Sequence, residues 1–221
     1  MFGRNKIAML VAEFLGTGVL TAVVLSVSKS NIGIPYFVSM AIGLTLAALA
    51  LVFGSISGAH LNPSITIGLW SARRIKTLPA IAYVAAQLLG GICAYLLYTY
   101  FVKTHWANGG KFESRVLVAE STGAFIFALG WAATVYRKLD GGKAAFVVGG
   151  SLAVGALVAS AGSGGLLNPA VALGLRAWVW GTYVLGPVLG AIIGFNLYAL
   201  LFAPGEALLE SPLDAKSKKK K

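Results

Sequence analysis

Two Asn-Pro dipeptides carry the most specific chemical pattern in this chain. Asn62-Pro63 lies in "SGAHLNPSITIGLW" (57–70) and Asn168-Pro169 in "SGGLLNPAVALGLRAW" (163–178). Asparagine is a favoured N-cap and proline a favoured first helical residue, so each dipeptide predicts the start of a helix. The mainly apolar stretches of eight to ten residues that follow predict helices over Pro63–Trp70 and Pro169–Trp178, roughly 12–15 Å long at 1.5 Å per residue. The segments before them, "GSISGAH" (54–60) and "SAGSGG" (160–165), are rich in glycine and serine and are predicted to be non-helical. Their backbone at Gly58, Ala59, His60, Gly164 and Leu166 would offer a ladder of carbonyl acceptors to a lumen. Two helix N-termini that meet head to head, each worth about half a positive charge, repel a cation or hydronium. A neutral hydrogen-bonding solute would instead meet the amides of Asn62 and Asn168. That is the chemistry of passage: the apolar runs contain no nucleophile–base pair and no cluster of metal ligands, so neither a cofactor nor a metal is expected.

The elements that must hold these residues are long and apolar. Of the 221 residues, 57% are hydrophobic and 11% charged, with mean hydropathy +0.81; a soluble domain carries about 25% charge. Six apolar runs stand out: Ile7–Val27, Ile34–Phe53, Leu78–Val102, Val116–Tyr136, Ala144–Ser160 and Tyr183–Phe202. Most approach the ~20 residues that cross a bilayer core, and the class is an all-α membrane protein with six spans and two half-helices. The net charge of +11 does not point to nucleic acid, because the basic residues gather at alternate ends of the spans. One side holds 13 of the 18, from Arg4 and Lys6 through Arg73, Arg74 and Lys76 to the lysine-rich end; the other holds Lys29, Lys103, Lys111, Arg115 and Arg176. The positive-inside rule then places both termini in the cytoplasm, most simply of a cell membrane. The first run is too long for a signal core and is read as span one. Cys93, the single cysteine, excludes an intrachain disulfide and is expected to pack.

The chain also repeats itself. "AEFLGTGVL" (12–20) matches "AESTGAFIF" (119–127), "LNPSITIGL" (61–69) matches "LNPAVALGL" (167–175), and "YVAAQLLGGICAYLLY" (83–98) matches "YVLGPVLGAIIGFNLY" (183–198). Three matches in one order indicate a duplicated unit of three spans and one Asn-Pro segment. Three is odd, so the second copy enters from the opposite face, as in inverted-repeat transporters. Residues 1–205 are therefore read as one membrane domain with halves of about 1–105 and 106–205, and 206–221 as a disordered cytoplasmic tail attracted to lipid headgroups. Ala86, Gly90 and Ala94, like Gly186, Gly190 and Gly194, recur every four residues and predict close helix–helix contact.

At these motifs the chain resembles the aquaporin, or major intrinsic protein, family, from about Ile7 to Phe202. Asn62-Pro63-Ser64 and Asn168-Pro169-Ala170 match its paired Asn-Pro-Ala motifs, with Ser64 a mild departure. The resemblance implies six tilted helices and two half-helices, with one pore per protomer in a homotetramer. It implies that Glu13 and Glu120 brace the non-helical loops and that His60 is a cytoplasmic vestibule histidine. It also places an outer filter at Ile42, Ala156 (Gly155 if the register slips), Gly165 and Val171. Most of the family carries an arginine where Val171 stands. An apolar quartet without that arginine predicts a neck wider than in a strict water channel. Arg176, five residues on, is expected to snorkel to the outer interface. The function implied is passive passage of water and small neutral solutes such as glycerol, urea, ammonia or hydrogen peroxide. A junction or scaffold protein with a closed pore and a weakly ion-conducting channel are the alternatives.

Overall fold

A computed structural model describes residues 4–29, 34–103, 105 and 109–204; the tail read at 206–221 lies outside the described residues. Among the described residues all regular structure is helical. Helices α1 (Arg4–Lys29), α2 (Pro35–Ser57), α4 (Thr77–Val102), α5 (Ser114–Tyr136), α6 (Gly141–Ala159) and α8 (Leu185–Leu201) are long, and α3 (Pro63–Ser71) and α7 (Pro169–Gly174) are short. Among the described residues six helices are long and apolar enough to cross a membrane, the last of them Trp180–Leu201, which opens with a π-helical turn at Trp180–Val184. Large apolar side chains such as Leu78, Phe146 and Leu200 are more than two-thirds exposed, as a lipid-facing surface requires. Cys93 is exposed on that surface, so it does not pack in the core.

The packing follows the repeat. Helix α1 packs on α4 as α5 packs on α8, and α1 lies against α2 as α5 lies against α6. Each short helix crosses to the other half, α3 to α8 and α7 to α4, while α2 and α6 meet each other. Absent side chains set these distances. A Cβ on Gly90 would strike the Phe14 carbonyl of α1, and one on the matched Gly190 would strike the Ser121 carbonyl of α5. At the α2–α6 crossing, Gly43 and Gly149 each abut the other's carbonyl oxygen.

Two boundaries differ from the sequence reading. Glycine and serine at 54–57 do not end α2, which runs to Ser57 before Gly58 (φ 90°) stops it by donating its N–H to the Gly54 carbonyl at 3.0 Å. A mid-helix glycine costs about 1 kcal/mol, less than the several kcal/mol of unpaired backbone at membrane depth. Helix α7 ends at Gly174 rather than Trp178. Its last carbonyls are closed by Arg176, in the left-handed region at φ 58°, with Arg176 N bonded to Leu173 O and Ala177 N to Ala172 O. Helix α3 closes the same way through Arg73, and α5 through Lys138. A basic residue suits a helix C-terminus, where the dipole is negative. Arg176 thus caps a helix, and its guanidinium lies 5.5 Å from the Tyr95 ring centre.

Candidate pore and its two turns

Both Asn-Pro turns are built by the same bonds. Asn62 is the N-cap of α3 and its Oδ1 accepts from Ser64 N at 2.8 Å. Asn168 caps α7, its Oδ1 accepting from Ala170 N at 3.0 Å and Val171 N at 3.3 Å. The amide nitrogens then cross between halves. Asn62 Nδ2 donates to the Leu167 carbonyl and Asn168 Nδ2 to the Leu61 carbonyl, each at 2.9 Å. A primary amide has two N–H groups, so each asparagine retains a second donor at the cavity that both line. Pro63, Ser64, Pro169 and Ala170 form the first turns and are buried. Ala170 lies with its carbonyl against Gly91.

The turns need support because they are strained. Ala59 (φ 51°), Leu61 (φ 50°) and Leu167 (φ 51°) sit in the left-handed region, as does Gly165 (φ 62°); such non-glycine residues cost about 1–3 kcal/mol each and persist only when held. Two fully buried carboxylates hold them. Glu13 Oε1 accepts from Ser57 Oγ at 2.7 Å and His60 N at 3.0 Å, and Oε2 from Leu61 N at 2.7 Å. Glu120 accepts from Leu166 N at 3.0 Å and Leu167 N at 2.7 Å. The first turn has further ties. Gln87 Nε2 donates to Glu13 at 2.7 Å and to Thr66 Oγ1 at 3.0 Å. Tyr83 donates its hydroxyl to the Ser57 carbonyl at 2.8 Å.

The candidate filter quartet is divided between two cavities. Ile42 and Val171 line a central chamber with Asn62, Asn168, His60 and Leu166, walled by Leu20, Val24, Leu46, Phe127 and Leu152. The space there open to the centre of a water-sized sphere is about 10 Å³, close to the volume that one water needs. Ala156 and Gly165 line a vestibule of about 230 Å³ with Gly164, Ser160 and Ser163. A second vestibule of about 370 Å³ is lined by Gly58, Trp131, Thr134 and Asp140. Ala59 is fully buried and borders neither the chamber nor a vestibule. His60 is buried too, its Nδ1 3.2 Å from Thr66 Oγ1. No group of three metal-ligating side chains occurs among the described residues.

The profile of a family described as Major intrinsic protein matches residues 4–198. The chain belongs to this family. It is 32% identical to Aquaporin Z of Photorhabdus laumondii over 225 residues, covering 88% of this chain and 97% of that one. It is 31% identical to Aquaporin-4 of Bos taurus over 200 residues, covering 82% of this chain and 61% of that relative's length. Its fold is similar to the X-ray structure of the aquaglyceroporin from Plasmodium falciparum, with TM-score 0.75 and 23% identity, over 93% of this chain and 100% of that one.

In this major intrinsic protein, reading the residues alone missed Gln87, Thr66, Tyr83 and Trp131. Gln87 had a signal, a lone amide in an apolar span. The matched position in the second half is Pro187, so the repeat did not draw attention to it. Tyr83 and Tyr183 do match, and both approach the non-helical segments: Tyr183 Oη would lie 3.4 Å from a Cβ on Gly164.

Proposed function

We propose that this member of the major intrinsic proteins is a passive channel for water and small neutral solutes, of the size of glycerol, urea, ammonia or hydrogen peroxide. The observation that carries the reading is the crossed pair of amides, Asn62 to Leu167 and Asn168 to Leu61, set in a chamber otherwise walled by aliphatic and aromatic side chains. A water at that point receives N–H donors from both halves and turns its own hydrogens outward, which interrupts proton hopping. A cation meets donors instead of acceptors and loses its hydration shell in an apolar neck. Helix α7, with six residues, has a short dipole, so the amides and local N–H groups carry more of this barrier than the two half-helices do. The relatives named aquaporins and the aquaglyceroporin fold support the same reading.

Ile42, Ala156, Gly165 and Val171 have no charged or aromatic side chain, so discrimination there is by size, set where Ile42 and Val171 line the narrow central chamber. Both termini lie in the cytoplasm, and four copies assemble with one pore each. Stopped-flow light scattering on proteoliposomes tests the function: sucrose should give shrinkage faster than in empty vesicles, and glycerol should then give reswelling. A second reading, a junction or scaffold protein with a closed pore, draws on the small volume of the central chamber. Shrinkage no faster than in empty vesicles would favour it.

A further inference from the structure

Where α3 ends and α4 begins, two recesses of opposite character adjoin. The first, about 640 Å³, is lined by Trp70, Ser71, Arg73, Ile75, Lys76 and Thr77. The second, about 440 Å³, is walled by Ile67, Ala80, Ile81 and Val84. Trp70 and Thr77 line both, and the bond from Trp70 Nε1 to Thr77 Oγ1 at 3.1 Å fixes the wall between them. A basic recess and an apolar groove thus share one indole. The helix dipoles account for only one of the two cations. The negative end of α3 suits Arg73, which closes that helix at φ 57°. Lys76 is the N-cap of α4 and makes no side-chain cap, and at that end the dipole disfavours a positive charge. Both side chains are exposed, and neither has an ion pair or hydrogen bond among the described residues. The matched turn on the opposite face offers a contrast. Arg176 is the one charged residue between Asn168 and Tyr183, and its guanidinium lies over the Tyr95 ring. The repeat therefore does not require a pair of unpartnered cations at such a turn.

We propose that this junction is a binding site for an anionic phospholipid, its phosphate held at Arg73 and Lys76 and an acyl chain lying in the groove of Ile67, Ile81 and Val84. Charge complementarity selects the headgroup, because the basic recess has two cations and no carboxylate in its lining. The adjoining groove, lined almost wholly by apolar side chains, selects a lipid over a free anion. Basic pockets between membrane helices on the cytoplasmic side suit anionic headgroups, and Arg73 and Lys76 lie on the side that the charge asymmetry assigns to the cytoplasm. The leaflet follows from that orientation, whereas binding in detergent does not depend on it.

The test titrates phosphatidylglycerol, or phosphatidylcholine with the same acyl chains, onto the full chain in detergent and counts bound lipid by native mass spectrometry. The wild type should bind phosphatidylglycerol more tightly. Arg73→Gln with Lys76→Gln should weaken that binding about thirtyfold, the loss for two basic contacts near an anionic headgroup, and abolish the preference. Lys76→Gln alone leaves the closure of α3 untouched and should weaken it about fivefold. Lys138→Gln with Lys143→Gln makes the same charge change at residues that do not line the recess and should leave binding unchanged. No preference for phosphatidylglycerol in the wild type overturns the proposal. Equal weakening in the two double variants assigns the attraction to net charge and overturns the site. Displacement by soluble glycerol phosphate as readily as by unlabelled lipid makes it a bare anion site and overturns the lipid.

Discussion

Removing the Glu13 carboxylate would leave Ser57 Oγ, His60 N, Leu61 N and Gln87 Nε2, all buried, without this acceptor. Glu13→Ala should therefore cost more than about 3 kcal/mol, since each abandoned buried donor costs ~1–3 kcal/mol. Glu120→Ala strands the N–H groups of Leu166 and Leu167 and should lower the unfolding midpoint in detergent less; equal losses would mean that the extra ties of the first turn add nothing. Val171 presents the complementary case, a side chain that matters for what it lacks. Val171→Arg would place a long cation in the wall of the central chamber and should reduce glycerol permeability about tenfold more than water permeability. Equal reduction of both in folded protein would argue against Val171 as a filter residue. The two carboxylates were legible because each stands in the same phrase of a repeated sequence. Gln87 was not, because a residue without a repeat partner looks like an isolated polar group until its neighbours in space are known.

Between elements, backbone separation is set by glycine. Gly90→Ala and Gly190→Ala each put a methyl group into a carbonyl of the facing helix, which cannot be relieved by turning a side chain. Both should destabilise the α1–α4 and α5–α8 pairs by about 1–3 kcal/mol or more and reduce the yield of monodisperse protein on size-exclusion chromatography. Gly150→Ala meets nothing within 4 Å and should be neutral or stabilising by up to about 1 kcal/mol. A severe effect at Gly150 would place another surface there. The spacing of small residues made these faces readable. Helix ends were harder, because composition records polarity while a helix stops where its last carbonyls find other donors. Glycine and serine at 54–57 remain helical in a membrane-depth setting, and residues 175–178 do not, because Arg176 turns the chain to the left-handed region.

For the molecule as a whole, the charge asymmetry gives a direct test of orientation. In a Cys93→Ala background, Lys111→Cys should react with a membrane-impermeant maleimide applied to intact cells, whereas Lys143→Cys should react only after permeabilisation; the reverse pattern would invert the topology. Six spans, the duplicated plan and the meeting of two short helices could all be read from apolar runs and matching phrases. The division of the filter quartet between two cavities could not, because it depends on how α2, α6 and α7 pack. The crossed amides have a consequence of another kind. Asn62 finds its acceptor on Leu167 and Asn168 finds its own on Leu61, so neither half contains the partner that completes its turn. A three-span ancestor carrying one such motif could have satisfied it only by meeting a second copy of itself, inverted, about a two-fold axis. Joined in one chain, the two halves need not be identical. Gln87 opposite Pro187, and Ser64 opposite Ala170, are places where one descendant chain now treats its two faces differently.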